Sequence, residues 1–213
     1  DVLDAGRGRG MPDQVATAKR EDMCSIIYTS GTGGLPKGVM LTHGGILCNC
    51  DGATEIVREL GLGEEVFLSF LPLSHAYEHV GGIYFPICLG AQIYYAERVD
   101  TLINNMAEVR PTIMTAVPRL YETMRSRIHQ GLKVQSNFRR GMFEKTLALG
   151  SKRYENSKSL SLWDKLLDAI CERLVRNKIR ERFGGRLKAL VSGGAPLNYD
   201  VGLFFTALGV RIL

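Results

Sequence analysis

Short apolar runs of β-forming residues alternate with helical patterns along much of the sequence, and this alternation limits the fold more than any other feature. It predicts strands at residues 66–71, 91–95, 112–117 and 187–191, helices at residues 44–60, 76–89 and 100–109, and further helices that begin at Pro118 and Asn198. A last strand is expected at residues 210–213. Such alternation is typical of a mostly parallel sheet with helices on both faces. We therefore predict a layered α/β fold.

A long helical stretch, residues 119–186, interrupts the alternation. Its apolar positions form one continuous stripe along a helix: Leu162, Trp163, Leu166, Leu167, Ile170, Leu174, Val175, Ile179 and Phe183. We expect this stripe to pack against the sheet. Because the other side of the helix is basic, a helix that lies on a membrane is the alternative.

The charge and the cysteines limit the partners and the compartment. The formal net charge of +5 suits polyanionic ligands such as nucleotides or CoA, and also an anionic membrane. An ordinary basic surface without such a partner is the alternative. No aromatic residues interleave with the basic clusters, which argues against a nucleic-acid partner. The five cysteines lack Cys-x-x-Cys spacing, which indicates reduced thiols in a cytoplasmic protein. No run reaches the ~20 apolar residues that a membrane span needs.

The polar, irregular residues 1–21 predict a lead-in segment, followed by a partial domain over residues 22–213. The chain starts at Asp1 without Met and ends in an apolar, strand-like run. We therefore expect it to be an internal segment of a longer protein.

A glycine-rich loop at residues 29–38 lies between short predicted strands at residues 23–28 and 39–41. Its glycines let backbone N–H groups surround an anion, its hydroxyls donate to phosphate oxygens, and its lysine adds a positive charge. The candidate triphosphate ligands are Thr29, Ser30, Gly31, Thr32, Gly33, Gly34 and Lys37. The spacing excludes both a Walker A loop and a dinucleotide-binding loop, because Val39 and Pro36 stand where those motifs need other residues. The alternative is a glycine-rich hairpin without a ligand.

This loop resembles the Thr-Ser-Gly-Thr-Thr-Gly-x-Pro-Lys-Gly signature of the acyl-adenylate-forming (AMP-dependent synthetase and ligase) superfamily, with Gly33 where a second Thr is usual. Residues 71–75, Leu-Pro-Leu-Ser-His, resemble its second core motif, and residues 192–197, Ser-Gly-Gly-Ala-Pro-Leu, its adenine-binding turn. These strings and residues 117–122 look most like the long-chain fatty acid–CoA ligases. The implied fold is part of the large N-terminal domain, ending before the catalytic Glu loop and the C-terminal lid domain.

The resemblance implies a reaction in which a carboxylate attacks ATP to give acyl-AMP and pyrophosphate, after which CoA takes the acyl group. Lys37 and the loop hydroxyls would hold the phosphates together with Mg²⁺. Thr32 is the candidate residue for the Mg²⁺ site at these phosphates. His75 would be a catalytic residue between the carboxylate and the α-phosphate, unless it only makes local hydrogen bonds. The substrate would be a fatty acid or another carboxylic acid.

The remaining site candidates have structural alternatives. Adenine would lie against Gly193, Gly194, Ala195 and Pro196, unless these residues only form a strand-to-helix turn capped by Asn198. Tyr77, Val80 and Gly81 either border an acyl tunnel or belong to the core. The implied location is cytoplasmic, with peripheral contact at the inner face of a membrane as an option.

The sequence also allows two other functions. His75, Glu78 and His79 spell the His-x-x-Glu-His pattern of inverted zinc proteases. A nucleotide-binding module without catalysis is the other alternative, because the family's Mg²⁺-binding Glu, ribose-binding Asp and lid Lys have no counterpart in this sequence. We accordingly predict negligible ligase activity for residues 1–213 alone.

Overall fold

The structure is a computed structural model that describes residues 17–31, 35–156 and 160–213. The described chain begins with an antiparallel hairpin of strands β1 (Met23–Thr29) and β2 (Lys37–Thr42). Thr29, the last residue of β1, lies opposite Lys37, the first residue of β2. The strand–loop–strand layout predicted around the glycine-rich loop is therefore confirmed.

A parallel sheet of four strands, in the order β4-β3-β5-β6, forms the centre of the domain. The strands are β3 (Val66–Ser69), β4 (Gln92–Tyr95), β5 (Ile113–Ala116) and β6 (Ala189–Ser192). The expected last strand is reduced to a single parallel bridge between Leu190 and Ile212. The predicted layered α/β fold with a parallel sheet is confirmed.

Two helices cover one face of this sheet. Helix α1 (His43–Arg58) follows the hairpin directly, and the Thr42 hydroxyl caps it by accepting from the Gly45 amide at 3.1 Å. Helix α2 changes type along its length: Ala76–Glu78 is α-helical, His79–Tyr84 is π-helical and Phe85–Cys88 is α-helical. π segments inside α-helices are rare and occur frequently at functional sites.

The remaining helices come after β4. They are α3 (Leu102–Val109), α4 (Pro118–Lys133), α5 (Asn137–Glu155), α6 (Leu162–Cys171), α7 (Asn177–Arg182) and α8 (Tyr199–Ala207). A π segment, Glu172–Arg176, joins α6 to α7, so the two form one continuous helical rod.

Alternate strand residues point to opposite faces of the sheet, and each face has its own apolar cluster. Phe67 and Ile113 pack with side chains of α1 and α2. Their neighbours Leu68 and Met114 belong to a larger cluster with side chains of α3, α4, α5 and α8. Helices therefore cover both faces, as the alternation predicted, and the buried strands read as continuous apolar runs.

The prediction that the apolar stripe of residues 162–183 packs against the sheet is wrong for its first half. Five of its side chains are exposed, by 84% at Leu162, 75% at Trp163, 54% at Leu166, 40% at Ile170 and 44% at Leu174. Only the second half, with Val175, Ile179 and Phe183, reaches the larger cluster. The physical reason is that α6 packs on α5 rather than on the sheet. The side of α6 that contacts α5 is not the side that carries the apolar stripe.

The side of the rod that faces inward carries a buried arginine. Arg176 is fully buried, and its guanidinium lies 2.7 Å from the Asp168 carboxylate. The same group donates to the carbonyl oxygens of Ala207 at 2.8 Å and Thr146 at 3.3 Å. One side chain therefore ties α5, α6 and α8 together. A buried charge is tolerated only with such pairing and hydrogen bonding.

Candidate active site

The hairpin presents the glycine-rich loop at the surface. Gly31 has a φ of +62°, and a Cβ there would lie 2.6 Å from the Leu35 carbonyl oxygen, so only glycine fits this turn. Ser30 and Lys37 are exposed, and Lys37 forms no ion pair with the described residues. Thr32, Gly33 and Gly34 lie outside the described residues. An exposed, unpaired cation beside a tight turn is suited to an anionic ligand.

His75 stands at the start of α2, above the carboxyl end of β3. Its backbone amide donates to the Pro72 carbonyl at 2.9 Å, and its Nδ1 atom accepts from the Tyr77 amide at 3.3 Å as the N-cap. The ring is exposed, and Nε2 has no hydrogen-bond partner among the described residues. The local hydrogen bond expected in the structural alternative therefore exists, and it leaves the second ring nitrogen available at the edge where parallel sheets bind ligands.

His79 joins the hairpin to the segment that carries His75. Its Nδ1 atom lies 3.2 Å from the Leu73 carbonyl oxygen, and its Nε2 atom lies 3.2 Å from the Ser25 hydroxyl. Because a carbonyl can only accept, Nδ1 donates to Leu73, and the Ser25 hydroxyl can donate to Nε2. The ring also packs edge-on against Tyr84, with centroids 5.1 Å apart.

Glu78 is a buried carboxylate that fastens α2 to two strand ends. Its Oε1 atom accepts from the Ser69 hydroxyl at 2.5 Å, and its Oε2 atom accepts from the Thr115 hydroxyl at 2.7 Å. Burial raises the pKa of Glu78, although these hydrogen bonds and two from backbone amides oppose the shift. Gly82 allows this close approach, because a Cβ there would meet the carboxylate. Glu78 was considered in the sequence only for the zinc alternative, so its positioning role was missed.

Tyr77 connects α2 to the predicted adenine-binding turn. Its hydroxyl donates to the Val191 carbonyl at 2.8 Å, and burial raises its pKa. The ring lies directly over Gly193, where a Cβ would collide with it. Gly193 in turn donates from its amide to the Ala116 carbonyl at 3.1 Å. The structure therefore brings the helix of His75 into contact with residues 192–197.

The rest of this turn is open and leads into α8. Gly194 has a φ of +79°, and it is exposed together with Ala195 and Pro196. The Asn198 side chain accepts from the amides of Asp200 and Val201, which confirms it as the N-cap of α8. That cap is compatible with a ligand on the turn, and adenine binding stays a prediction.

Two buried hydroxyls belong to the strings at residues 117–122 and 192–197, but the motif likeness assigned no role to either side chain. The side-chain oxygens of Tyr121 and Ser192 are buried and make no hydrogen bond of ideal geometry with the described residues, but they lie close enough to each other to interact. Burial raises the pKa of Tyr121. The two hydroxyls make the buried side of the turn polar.

The candidates for an acyl tunnel make core contacts. Val80 is half-buried and packs with the smaller apolar cluster. Gly81 lies against Thr115, because a Cβ there would come within 2.8 Å of its methyl carbon. Their role toward an acyl chain stays a prediction.

The zinc alternative finds little support in this geometry. Within the parts of the chain that the structure describes, no group of three or more His, Cys, Asp or Glu side chains could hold a metal ion. Both ring nitrogens of His79 are occupied, and both oxygens of Glu78 accept hydrogen bonds.

Comparison with known proteins defines the class that this fold and these loops represent. Residues 3–213 match the AMP-binding enzyme family, and the chain belongs to this family of adenylate-forming enzymes. It is 37% identical to the peroxisomal long chain acyl-CoA synthetase 7 of Arabidopsis thaliana, over 92% of this chain and 27% of that protein. It is 32% identical to the long-chain-fatty-acid–CoA ligase ACSBG2 of Homo sapiens, over 96% of this chain and 32% of the relative. The chain thus spans less than a third of these relatives.

Solved structures share the fold at lower identity. The A-PCP didomain of the carboxylic acid reductase from Segniliparus rugosus, in complex with AMP, superposes with a TM-score of 0.59 at 23% identity, over 99% of this chain and 26% of that chain. A malonyl-CoA ligase with methylmalonyl-CoA and AMP bound gives a TM-score of 0.56 at 20% identity, over 92% of this chain and 33% of that chain.

Proposed function

We propose that this chain contributes the ATP- and acid-binding part of an enzyme that activates a long-chain fatty acid to acyl-AMP and passes the acyl group to CoA. One observation carries the proposal. His79 and Tyr77, two residues of α2, attach the hairpin of the glycine-rich loop and the turn at residues 192–197 to the same helix that begins at His75. Three separate motifs are thereby held around one edge of the sheet.

Each motif has a distinct task in this reaction. Lys37, the glycines of the loop and its hydroxyls bind the β- and γ-phosphates. Thr32 would be the hydroxyl that helps to hold Mg²⁺, and the ion would offset further phosphate charge. Residues 193–196 hold the adenine, and the free side of the His75 ring faces the α-phosphate and the carboxylate. The reaction brings two anions together, so fixed positive charge and alignment are what the protein must supply.

The acid and the acceptor are proposed from likeness to the relatives, which are named as long-chain acyl-CoA synthetases and ligases. Acid-dependent exchange between ATP and pyrophosphate in the full-length protein tests this choice. Exchange should be strongest with long-chain acids and weak with acetate. ATP binding without exchange for any acid would favour the non-catalytic nucleotide-binding module, and stoichiometric zinc in the purified protein would favour the hydrolase.

Lys37→Ala tests the phosphate site itself. Removing the only cation of the loop should lower the exchange rate by roughly 100-fold or more, as loss of a positioned transition-state donor does elsewhere. Lys145→Ala is the matched control, because that lysine is also exposed and lies on α5. Equal rates in the two variants would contradict the role of Lys37.

We place the reaction in the cytoplasm, with peripheral contact at the inner face of a membrane that supplies the acid. The cysteines among the described residues are all unpaired, which is usual for reducing compartments. None of the described helices has the length and apolar content needed to cross a bilayer.

A further inference from the structure

The exposed part of the stripe is a continuous apolar ridge that the fold itself does not use. Its side chains follow each other at every fourth position: Leu162, Leu166, Ile170 and Leu174, with Trp163 beside the first. In an α-helix, steps of four residues drift by about 40° around the axis. The π segment at Glu172–Arg176 turns less per residue, because its hydrogen bonds span five residues, and it offsets part of that drift. The ridge therefore stays on one side of the rod.

Unpaired cations border this ridge. The row continues beyond Leu174 with Lys178 and Arg182, and four basic side chains of the rod are exposed without an ion pair among the described residues: Lys165, Arg173, Lys178 and Arg182. The ridge thus combines apolar contact area with positive charge along the same side of one helix.

Three of the four acidic side chains of the rod, in contrast, pair with basic side chains of the protein itself. Asp164 pairs with Lys152 at 2.8 Å, and Asp168 pairs with Arg176. Glu172 pairs with Arg176 at 3.3 Å and also contacts Arg180. Glu181 is the single acidic residue of the rod without such a partner among the described residues. The exposed side therefore carries a net positive charge.

A groove beside Leu174 extends the apolar surface. It has a volume of about 590 Å³ and runs between α4, α5 and α7. Leu174 and Phe138 stand on its wall, and its charged lining residues are all basic: Arg127, Arg139, Lys178 and Arg182. Among residues 17–31, 35–156 and 160–213, no acidic side chain lines it. A groove that is apolar inside and lined by cations is complementary to lipids, whose acyl chains are apolar and whose headgroups can be anionic.

We propose that this ridge, together with the exposed basic side chains beside it on the rod, is the surface by which the protein binds an anionic lipid bilayer. Leucine, isoleucine and tryptophan enter the interface, and the flanking lysines and arginines meet anionic headgroups. A second copy of the chain fits poorly, because it would place cations against cations. The inference does not depend on the proposed catalytic activity, since no residue of the ridge belongs to the candidate active site.

Flotation of the full-length protein with vesicles tests the surface. The protein should float with vesicles of phosphatidylcholine and phosphatidylglycerol, and much less with phosphatidylcholine alone. Leu166→Ser with Ile170→Ser should lower binding roughly 10-fold or more. Leu47→Ser with Ile56→Ser on α1 is the matched control, because these two side chains are exposed to a similar extent. It should leave binding unchanged.

A second pair of measurements separates charge from apolar contact. Lys178→Gln with Arg182→Gln should weaken binding to the anionic vesicles by roughly 10-fold. Vesicles that contain brominated lipid should quench part of the tryptophan fluorescence of the bound protein. In the Trp163→Phe variant this quenched part should be absent. Pyrophosphate exchange with a soluble acid should stay normal in all of these variants, so failure of the proposed catalytic function would appear separately.

Three outcomes would overturn the proposal. The first is a full-length protein that does not float, and the second is equal binding to neutral and anionic vesicles. The third is a lipid-free oligomer in sedimentation that the Leu166 and Ile170 substitutions dissociate, which would assign the ridge to a protein–protein contact instead.

Discussion

The two faces of the central sheet differ in what their polar residues do. On the side of α2, buried and half-buried polar side chains connect parts of the candidate site: His79 reaches the hairpin, Glu78 the strand ends and Tyr77 the turn at Gly193. On the side of α5 to α8, Arg176 and Asp168 connect only helices. The first face should therefore control the site, and the second should control stability. Three substitutions test this division.

The largest effect on stability is expected at Arg176. Arg176→Ala leaves Asp168 with only the partly exposed Arg153 as an ion-pair partner, and it removes a donor from two interior carbonyl oxygens. Breaking such a buried pair costs roughly 3–5 kcal/mol of unfolding free energy. Chemical denaturation measures this loss, and pyrophosphate exchange per folded molecule should not change. Arg173→Ala is the control, because that neighbour is exposed. A loss below about 1 kcal/mol would show that the helical side does not depend on this network.

A smaller effect is expected at Tyr77. Tyr77→Phe removes the hydrogen bond to Val191 but keeps the ring over Gly193, so the unfolding free energy should fall by only about 0.5–1.5 kcal/mol. The KM for ATP should rise, because the turn at residues 192–197 loses its anchor to α2. Tyr95→Phe, at an exposed ring on β4, should change neither quantity. An unchanged KM together with lower stability would make Tyr77 a purely structural residue.

The smallest effect is expected at Glu78, where a substitution should change how the unfolding free energy depends on pH. Because burial raises its pKa in the folded state, folding favours the protonated form. This contribution to stability is present at pH values below the pKa of Glu78 in the unfolded chain. It is lost as the pH rises through the pKa of Glu78 in the folded protein. Glu78→Gln mimics the protonated carboxyl, so its stability relative to wild type should improve as the pH rises from acid to neutral. Thermal unfolding across that range measures the difference, and a constant difference would contradict the shifted pKa.

Much of the architecture could be predicted from the sequence because it depends on local chemistry. Strand–helix alternation predicted the parallel sheet, the glycine-rich segment predicted a strand–loop–strand layout, and Asn198 acts as the N-cap of the turn's structural alternative. These features follow from backbone preferences within a few residues. The positions around His75 were predicted from motif likeness, and the structure adds that α2 holds two of the three motifs together.

The errors have a common physical origin. A periodic stripe shows that a helix has an apolar side, but it does not show which neighbour, if any, covers that side. For Leu162 and Leu166 none of the described residues does. Charged residues are expected at the surface, so the buried Arg176 and Glu78 gave no signal. Both depend on partners far away in the sequence, such as Ala207 and Thr115.

The attachment of the hairpin through His79 has a consequence for acidic conditions. A second proton on the ring would turn Nε2 from an acceptor into a donor, while Nδ1 would keep donating to Leu73. The Ser25 hydroxyl can reverse its own direction and accept, since it carries both a hydrogen and lone pairs. The link between the glycine-rich loop and the segment of His75 therefore tolerates either charge state, and only the polarity of one hydrogen bond is inverted.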